Sequence, residues 1–333
     1  MKECDNSNPV KESKFSGGEA KCYKLYGRVV KSEYPLPLST VTGETPDIVI
    51  IDKGIIPKTK DPSQVKSAKV WSRDESDYIL TFYNIEGHII EFRINHQGTR
   101  IQLSQSWPNR QDSLFVLLNP AMAAALHLQG KFLLHAASLV YNGTAFLISG
   151  ESEAGKSTLS AALAAEEVAI HSDDISVIEE QGGKHVVPAG YPRIKMKPDS
   201  ADVLNLPMEK MMSIVSIESD DSERWIASKD LPGGYHAGTA PLGGIFLLSD
   251  RDNSICEPRI EKLAPAAAGL VLATHRYGRD WLDHSETRIL QFCTRIAGST
   301  PVYRINLPDN INLLKSSARR LIEQYMNPLV HSS

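Results

Sequence analysis

The sequence predicts an α/β protein: a phosphate-loop domain over residues 111–330, with a smaller β-rich domain over residues 21–110 ahead of it. Three observations carry this. Gly150-Glu151-Ser152-Glu153-Ala154-Gly155-Lys156-Ser157-Thr158 fits the G-x-x-x-x-G-K-[ST] pattern in full. The apolar run 144–149 leads into it and the helix-forming run 158–167 comes after it, which is the strand–loop–helix setting a phosphate cradle needs. From Cys22 to about Pro108 the pattern alternates and is punctuated by Pro35, Pro37, Pro46, Pro57 and Pro62, which suits short strands and argues against long helices.

Taken in order, residues 1–20 are charged, aperiodic and contain Gly and Ser, so a disordered tail is expected. Tyr23-Lys-Leu-Tyr-Gly-Arg-Val-Val30 alternates, 47–52 is a short apolar strand, and 78–83 and 88–94 are further strands, with Glu86-Gly87 marking their turn. A helical stretch runs from about 112 to 130, interrupted at Pro120 and stopped by Gly130. The runs 132–140 and 144–148, joined through Asn142-Gly143, read as a hairpin whose second strand feeds the loop. After the loop helix, 168–171 is a short strand ending in Ser172-Asp173-Asp174. The runs 175–179 and 184–187, turning at Gln181-Gly-Gly183, form a second hairpin. A helix is expected over about 200–212, a charged loop over 220–234, and a buried strand over 242–248. Helices over 265–274 and 286–298, a strand over 301–306 and an amphipathic helix over 311–326 complete the chain.

Composition narrows the function classes. The 333 residues suffice for two domains with real cores, and the formal charge of −4 gives no electrostatic ground for a nucleic-acid partner. No apolar run approaches the ~20 residues that span a bilayer, and the polar N-terminus lacks the apolar centre of a signal peptide, so a cytoplasmic protein without membrane contact is expected. Cys4, Cys22, Cys256 and Cys293 lie far apart with no C-x-x-C, which predicts buried or inert thiols rather than zinc ligands or disulfides.

The chemistry is concentrated in the loop and in the two strands beside it. Backbone N–H groups of residues 150–158 can point at phosphate oxygens, and the helix N-terminus adds partial positive charge. Lys156 is expected to reach the outer phosphates of a nucleoside triphosphate, ATP or another, and Ser157 to ligate magnesium. Glu151 and Glu153 repel phosphate unless they point outward or meet a cation. Asp173-Asp174 stands at the carboxyl end of a strand, where ligands gather in open α/β sheets, and can hold magnesium or accept a proton from a nucleophile. A hairpin through Asn142-Gly143 pairs His135 with about Gly150, which brings the imidazole beside the loop.

The stretch Leu134-His-Ala-Ala, Asn142-Gly-Thr-Ala-Phe-Leu-Ile-Ser-Gly150, Gly155-Lys-Ser157 and His171-Ser-Asp-Asp174 resembles the catalytic domain of bacterial HPr kinase/phosphorylase, over about residues 131–195. That resemblance implies a P-loop HPr kinase/PEP carboxykinase-like fold and phosphoryl transfer to a protein serine. It implies Asp173 as general base, Asp174 with Ser157 on the metal, and His135 and Lys156 at the transferring group. The family's Glu-x-Arg-Gly signature is absent; Gly190-Tyr-Pro-Arg-Ile-Lys-Met-Lys197 stands there, a basic segment that makes Arg193 a candidate for phosphate or an acidic peptide. Ala136 replaces the glycine after the family's histidine, and the reverse phosphorylase reaction is not implied. The opening Tyr26-Gly-Arg-Val-Val-Lys-Ser-Glu-Tyr-Pro-Leu-Pro-Leu38 resembles the stand-alone kinases found with lasso-peptide biosynthesis, which phosphorylate the C-terminal serine of a precursor peptide. Members of the bifunctional type form hexamers, which leaves a homo-oligomer as an open expectation.

Weaker candidates lie further along the chain. Thr274-His-Arg-Tyr-Gly-Arg279 offers His275, Arg276 and Arg279 as a basic grip on phosphate or carboxylate, against the alternative of solvated surface charge. Gly233–238 suits a mobile lid or a plain loop, and Tyr277 and Trp281 suit packing. Two other readings stay open: a nucleotide-binding regulator that transfers nothing, and a small-molecule or carboxykinase-like phosphotransferase.

Overall fold

Tyr26 and Gly27 both adopt left-handed backbone, φ 52° and 71°, and so the alternating run near the N-terminus is a hairpin and not one strand. The computed structural model describes residues 19–59, 69–84, 87–106, 110–151, 154–213, 224–278 and 285–330. The hairpin is β1 (Lys21–Leu25) and β2 (Arg28–Ser32). It belongs to an eight-stranded sheet with β3 (Thr40–Val41), β4 (Ile48–Ile55), β5 (Lys69–Arg73), β6 (Asp77–Tyr83), β7 (Ile89–Asn95) and β8 (Arg100–Gln105). The spatial order is β3-β1-β2-β4-β8-β7-β6-β5. Strict alternation sets the buried face: Ile90, Phe92 and Ile94 on β7, Ile101 and Leu103 on β8, and Ile48 and Ile50 on β4 are fully excluded from water. The strands β3, β5 and β8 were not anticipated; β8 is polar on alternate residues and too short of apolar content to stand out.

The expected helical stretch is continuous. It comprises α1 (Arg110–Val116), a π turn (Leu117–Ala121) and α2 (Met122–Leu128). Pro120 does not break the helix. The missing N–H is absorbed by widening the turn, and residues 117–121 all stay buried. Gly130, φ 75°, stops α2 as expected, with Lys131 N–H donating to Leu126 O (3.0 Å) and Gly130 N–H to His127 O (2.8 Å), the paired bonds of a Schellman end.

The second sheet is built from β9 (Phe132–Tyr141), β10 (Thr144–Gly150), β11 (Ala169–Ser172), β12 (Ile175–Gln181), β13 (Lys184–Pro188), β17 (Thr239–Leu248), β18 (Arg259–Lys262) and β19 (Val302–Asn306). Strands β10, β9, β12, β13 and β17 close a circuit, because β17 pairs parallel to β10 as well as antiparallel to β13. Three short strands make a third sheet: β14 (Arg193–Met196), β16 (Arg224–Ala227) and β15 (Met212–Ser213). Both faces of β10 are buried. Phe146 and Ile148 pack with α3 (Lys156–Ala165) and α7 (Leu314–Leu321); Ala145 and Leu147 pack with α5 (Pro265–Thr274) and α6 (Glu286–Ser299). The result is a mixed α/β arrangement with helices on both faces of the loop strand.

Two expectations change. The helix over 200–212 shrinks to α4 (Pro198–Val203), because Asn205 turns left-handed (φ 55°) and Pro207 comes next but one; a 3-10 turn (Met208–Lys210) and β15 take the remainder. The charged stretch 220–234 contains β16, whose Trp225 and Ile226 are buried against β14. The closing helix is segmented into a 3-10 turn (Ile311–Leu313), α7, a π turn (Ile322–Met326) and α8 (Asn327–Val330). No helix among the described residues is long and apolar enough to cross a membrane.

The two sheets meet at the α1–α2 segment, and one glycine shows how tightly. A Cβ on Gly98 would sit 2.1 Å from Ala125 O, and its φ is 67°. Gly98→Ala is expected to lower folding stability by about 3 kcal/mol. Gly43→Ala, at φ 78° with open space around it, is expected to cost about 1 kcal/mol. Urea denaturation of both variants measures the difference.

Candidate functional site

Strand β10 ends at Gly150, and the chain enters α3 through Gly155, whose φ of 96° only glycine adopts freely. The parallel neighbour β17 ends alongside it, Gly150 facing Leu248. The loop therefore lies at the carboxyl ends of two parallel strands, where helix and backbone dipoles converge. Lys156 is buried, and its Nζ donates to Gly150 O (3.0 Å) and Glu151 O (2.9 Å). Burial holds its pKa below the usual lysine value, while Asp174, Asp173 and Glu151 pull the other way. Glu151 is exposed, and its charge acts on Lys156 and His275, so it meets cations at the loop. Ser152 and Glu153 lie outside the described residues, so the loop's middle is not described.

The acidic doublet converges on this loop. Strands β11 and β12 both pair antiparallel with β9; after a register shift between Ile170 and Ser172, Ser172 stands opposite Ser138 and Ile175 opposite His135. Asp173 and Asp174 occupy the bend between them, level with the end of β10 on the other side of β9. Ser157, in the first turn of α3, donates to Asp173 Oδ1 at 3.0 Å. Lys195 N–H, from β14, donates to Asp173 Oδ2 at 2.9 Å. Burial and the neighbouring Asp174 carboxylate push the Asp173 pKa well up, to about 8, against the two hydrogen bonds and the Lys195 charge. Lys156 interacts electrostatically with both aspartates.

His135 stands at the other wall. It pairs with Ile175 across β9 and β12, and its ring meets Tyr277 edge-on at 5.7 Å. Burial and the Lys156 charge lower its pKa to about 4, which makes it a neutral imidazole at physiological pH. Its carbonyl accepts from Ser149 Oγ (2.8 Å), and with that proton spent Ser149 accepts from His275 Nδ1 (3.0 Å). His275 O in turn accepts from His135 N–H (2.9 Å). His275 is thus tied into the base of the loop strand.

The other candidates are placed elsewhere. Arg276 is buried and donates to Glu286 Oε1 (3.2 Å) on α6, beside Cys293. Its guanidinium is turned to a helix carboxylate and not to the loop. Arg193 is stacked over Trp225 (3.3 Å to the ring centroid) with Tyr191 4.9 Å away, a pair of cation–π contacts that engage its guanidinium. Gly233–238 is no lid: Gly233 N–H donates to Ala164 O (2.9 Å), and residues 234 and 236 hydrogen-bond Ile170 from both sides. A Cβ on Gly233 would lie 2.0 Å from Val168 O, so the backbone is packed against the start of β11. Tyr277 packs as expected, while Arg279 and Trp281 fall outside the described residues. Of the described cysteines, all free, Cys256 is exposed and Cys293 buried.

Two cations were missed. The side chain of Lys195 acts electrostatically on Asp173, His135 and Lys156. Strand alternation puts residues 193 and 195 on one face, so the basic segment singled out from the sequence also contains Lys195. Arg251 places its guanidinium over the loop, with Nη2 2.6 Å from where a Cβ on Gly155 would be. It stands three residues past the end of β17, and the rule that ligands gather at carboxyl ends of strands would have flagged it.

No protein-family model matches the chain, and no curated protein matches it. Among solved structures, the Hpr(Ser) kinase/phosphatase from Coxiella burnetii is similar at 17% identity, covering 59% of this chain and 98% of that one, with a TM-score of 0.31. An overlap that loose leaves the residues themselves to identify the chemistry.

His171, buried beside this site, makes stability depend on pH. Its Nε2–H donates to Gly238 O (2.8 Å), and burial holds its pKa near 4, against the ordinary 6.5. The unfolded chain therefore binds the extra proton between those values, and stability falls as pH drops from about 6.5 toward 4. At pH 5 the loss from this group is on the order of 2 kcal/mol. Denaturation at pH 7 and pH 5 is expected to show a smaller pH-dependent loss in His171→Gln, which keeps a donor for Gly238 and cannot titrate.

Proposed function

We propose that this protein is an ATP- and magnesium-dependent kinase that transfers a phosphoryl group to a serine hydroxyl of a peptide, the C-terminal serine of a lasso-type precursor. The observation that carries the reading is the 3.0 Å hydrogen bond from the loop residue Ser157 to Asp173. It joins the phosphate cradle and the acidic doublet in a single site, and a bare nucleotide-binding loop does not need the second half. The sequence resemblance over residues 131–195 supports the same chemistry.

The residues fit the groups this reaction requires. The donors around Ser157, Asp173 and Asp174 are all oxygens, the hard set that suits magnesium. Among the described residues no cluster of three His, Cys, Asp or Glu side chains forms a self-sufficient metal cage. Magnesium does not demand one, since it keeps waters and phosphate oxygens as ligands. Burial and the neighbouring Asp174 carboxylate both raise the Asp173 pKa, and a bound cation would relieve the repulsion between the two carboxylates. For the nucleotide, the glycine at φ 96°, the α3 N-terminus and the cations Lys156, Lys195 and Arg251 supply the anion cradle. Bound magnesium would neutralise charge on the phosphates.

In this reading Ser157 and Asp174 hold the metal, and Lys156 and Arg251 offset charge on the phosphates. Asp173 orients the acceptor hydroxyl and takes its proton. His135, neutral, lines the site as a polar wall held by the Ser149–His275 link. The protein's contribution is positioning and electrostatics, with little covalent chemistry of its own.

The test is labelled ATP with a peptide ending in serine. Label is expected in the peptide with wild-type protein. Lys156→Ala and Asp173→Asn are each expected to reduce transfer at least about 100-fold while the circular dichroism spectrum is unchanged. Nucleotide that binds without turnover would favour the regulator reading, and label in a small molecule the carboxykinase-like one. Arg251→Ala is expected to raise KM for ATP about tenfold with a smaller change in kcat, since it removes a charge-assisted contact to the nucleotide.

A further inference from the structure

The acidic doublet is braced from behind by the N-terminal sheet. Ser172 Oγ donates to Ile175 O at 2.6 Å, a clasp closed across the bend that holds Asp173 and Asp174. Directly against this clasp lies Tyr26, at the tip of the β1–β2 hairpin and fully buried. A Cβ on Gly190 would sit 2.2 Å from Ser172 Oγ and 2.5 Å from Tyr26 Cε1, so the hydroxyl and the ring fill one niche that only glycine leaves open. The phenol also interacts electrostatically with Ser172 and directs its one proton toward Asn119 Oδ1 at 3.4 Å, inside the π turn.

Several contacts hold the tip in place. Tyr26 keeps a left-handed φ of 52°, which costs a non-glycine residue and persists only where the surroundings over-determine it. Its N–H donates to Ala189 O at 2.7 Å. Arg28, two residues on, donates to Glu179 Oε1 (2.8 Å) and Gln129 Oε1 (3.1 Å), and Lys131 pairs with the same glutamate at 2.9 Å. The hairpin is thus fastened to β12 and the end of α2, and its buried ring faces the residue next to Asp173.

We propose that Tyr26 is a positioning residue for phosphoryl transfer: the hairpin tip wedges the Ser172–Ile175 clasp shut and so fixes where Asp173 and Asp174 point. The N-terminal sheet is then part of the reaction site and not an appended module. This rests on the kinase reading for its kinetic consequence, but the brace itself is a structural claim that can be tested without turnover.

The experiment uses the full chain with Tyr26→Leu and Tyr26→Phe. Hydrogen exchange read by mass spectrometry compares the segment 169–178 with the β17 segment 242–248. Tyr26→Leu is expected to speed exchange at 172–176 about tenfold and leave 245–248 within about twofold, the mark of local opening. Tyr26→Phe, which keeps the ring and drops the hydroxyl, is expected to speed the same segment about threefold; should the leucine variant fail to fold, this variant decides. In the peptide-labelling assay, Tyr26→Leu is expected to lower kcat about tenfold with KM for ATP within about twofold, since misplaced catalytic groups cost rate and leave nucleotide binding alone. Exchange that is unchanged at 172–176, or accelerated equally everywhere, overturns the brace. Faster local exchange with unchanged kcat overturns the positioning role. If wild-type protein transfers no phosphate, the kinase reading fails, and the exchange contrast still decides whether the hairpin braces the doublet.

Discussion

The carboxylate of Asp173 is gripped from two directions, by the Ser157 hydroxyl at the start of α3 and by the Lys195 backbone of β14. Removing a carboxylate from water costs several kcal/mol unless its oxygens are satisfied, and here each oxygen has a donor. Those two bonds offset neither the burial of the carboxyl group nor the repulsion from Asp174, which is why the Asp173 pKa stays high. The geometry of the whole site hangs on this tether. It joins the phosphate loop, the acidic bend and the third sheet, three pieces of chain that are well separated in sequence and that converge on one carboxyl group.

Strand β9 makes the tether possible. It pairs with β10 on one edge and with β11 and β12 in succession on the other. With strands about 5 Å apart, the loop and the doublet are brought within about 10 Å at backbone level, and side chains span the rest. The same strand carries His135 at the junction, and the antiparallel β12 partner delivers the doublet to the same level. Charge obeys the same plan: Lys156, Lys195 and Arg251 surround a centre otherwise supplied with Asp173, Asp174 and Glu151. An anion that brings its own cation is the ligand such a balance favours.

Much of this was legible in the chain because local rules carried it. Asn142-Gly143 set a hairpin whose register, Thr144 opposite Tyr141 through Ser149 opposite Ala136, is the one that turn dictates. Gly130 ended a helix, and the apolar run of 242–248 buried both faces of β17. What escaped were features set by tertiary contact. Arg193 looked like a phosphate ligand until Trp225, a strand away, claimed its guanidinium. Arg276 was read beside His275, but a helix ending in Thr274 sends its neighbours to opposite sides, one to Ser149 and the other to Glu286. The polar strands β5 and β8 and the two-residue edge β3 have too little apolar content for periodicity to reveal them. Gly233–238 seemed free because glycine suits a lid, yet here glycine admits the backbone beside β11 at close range.

The central claim is that the loop and the doublet act on one nucleotide. A crystal structure of the protein with magnesium and a non-hydrolysable ATP analogue tests it most directly. The account predicts the outer phosphates within the loop of residues 150–158, Lys156 turned onto them, and the metal held between Ser157 and the Asp173–Asp174 bend. Density for the analogue away from that loop, or a metal bound to phosphates with neither aspartate in its coordination or water shell, would contradict it.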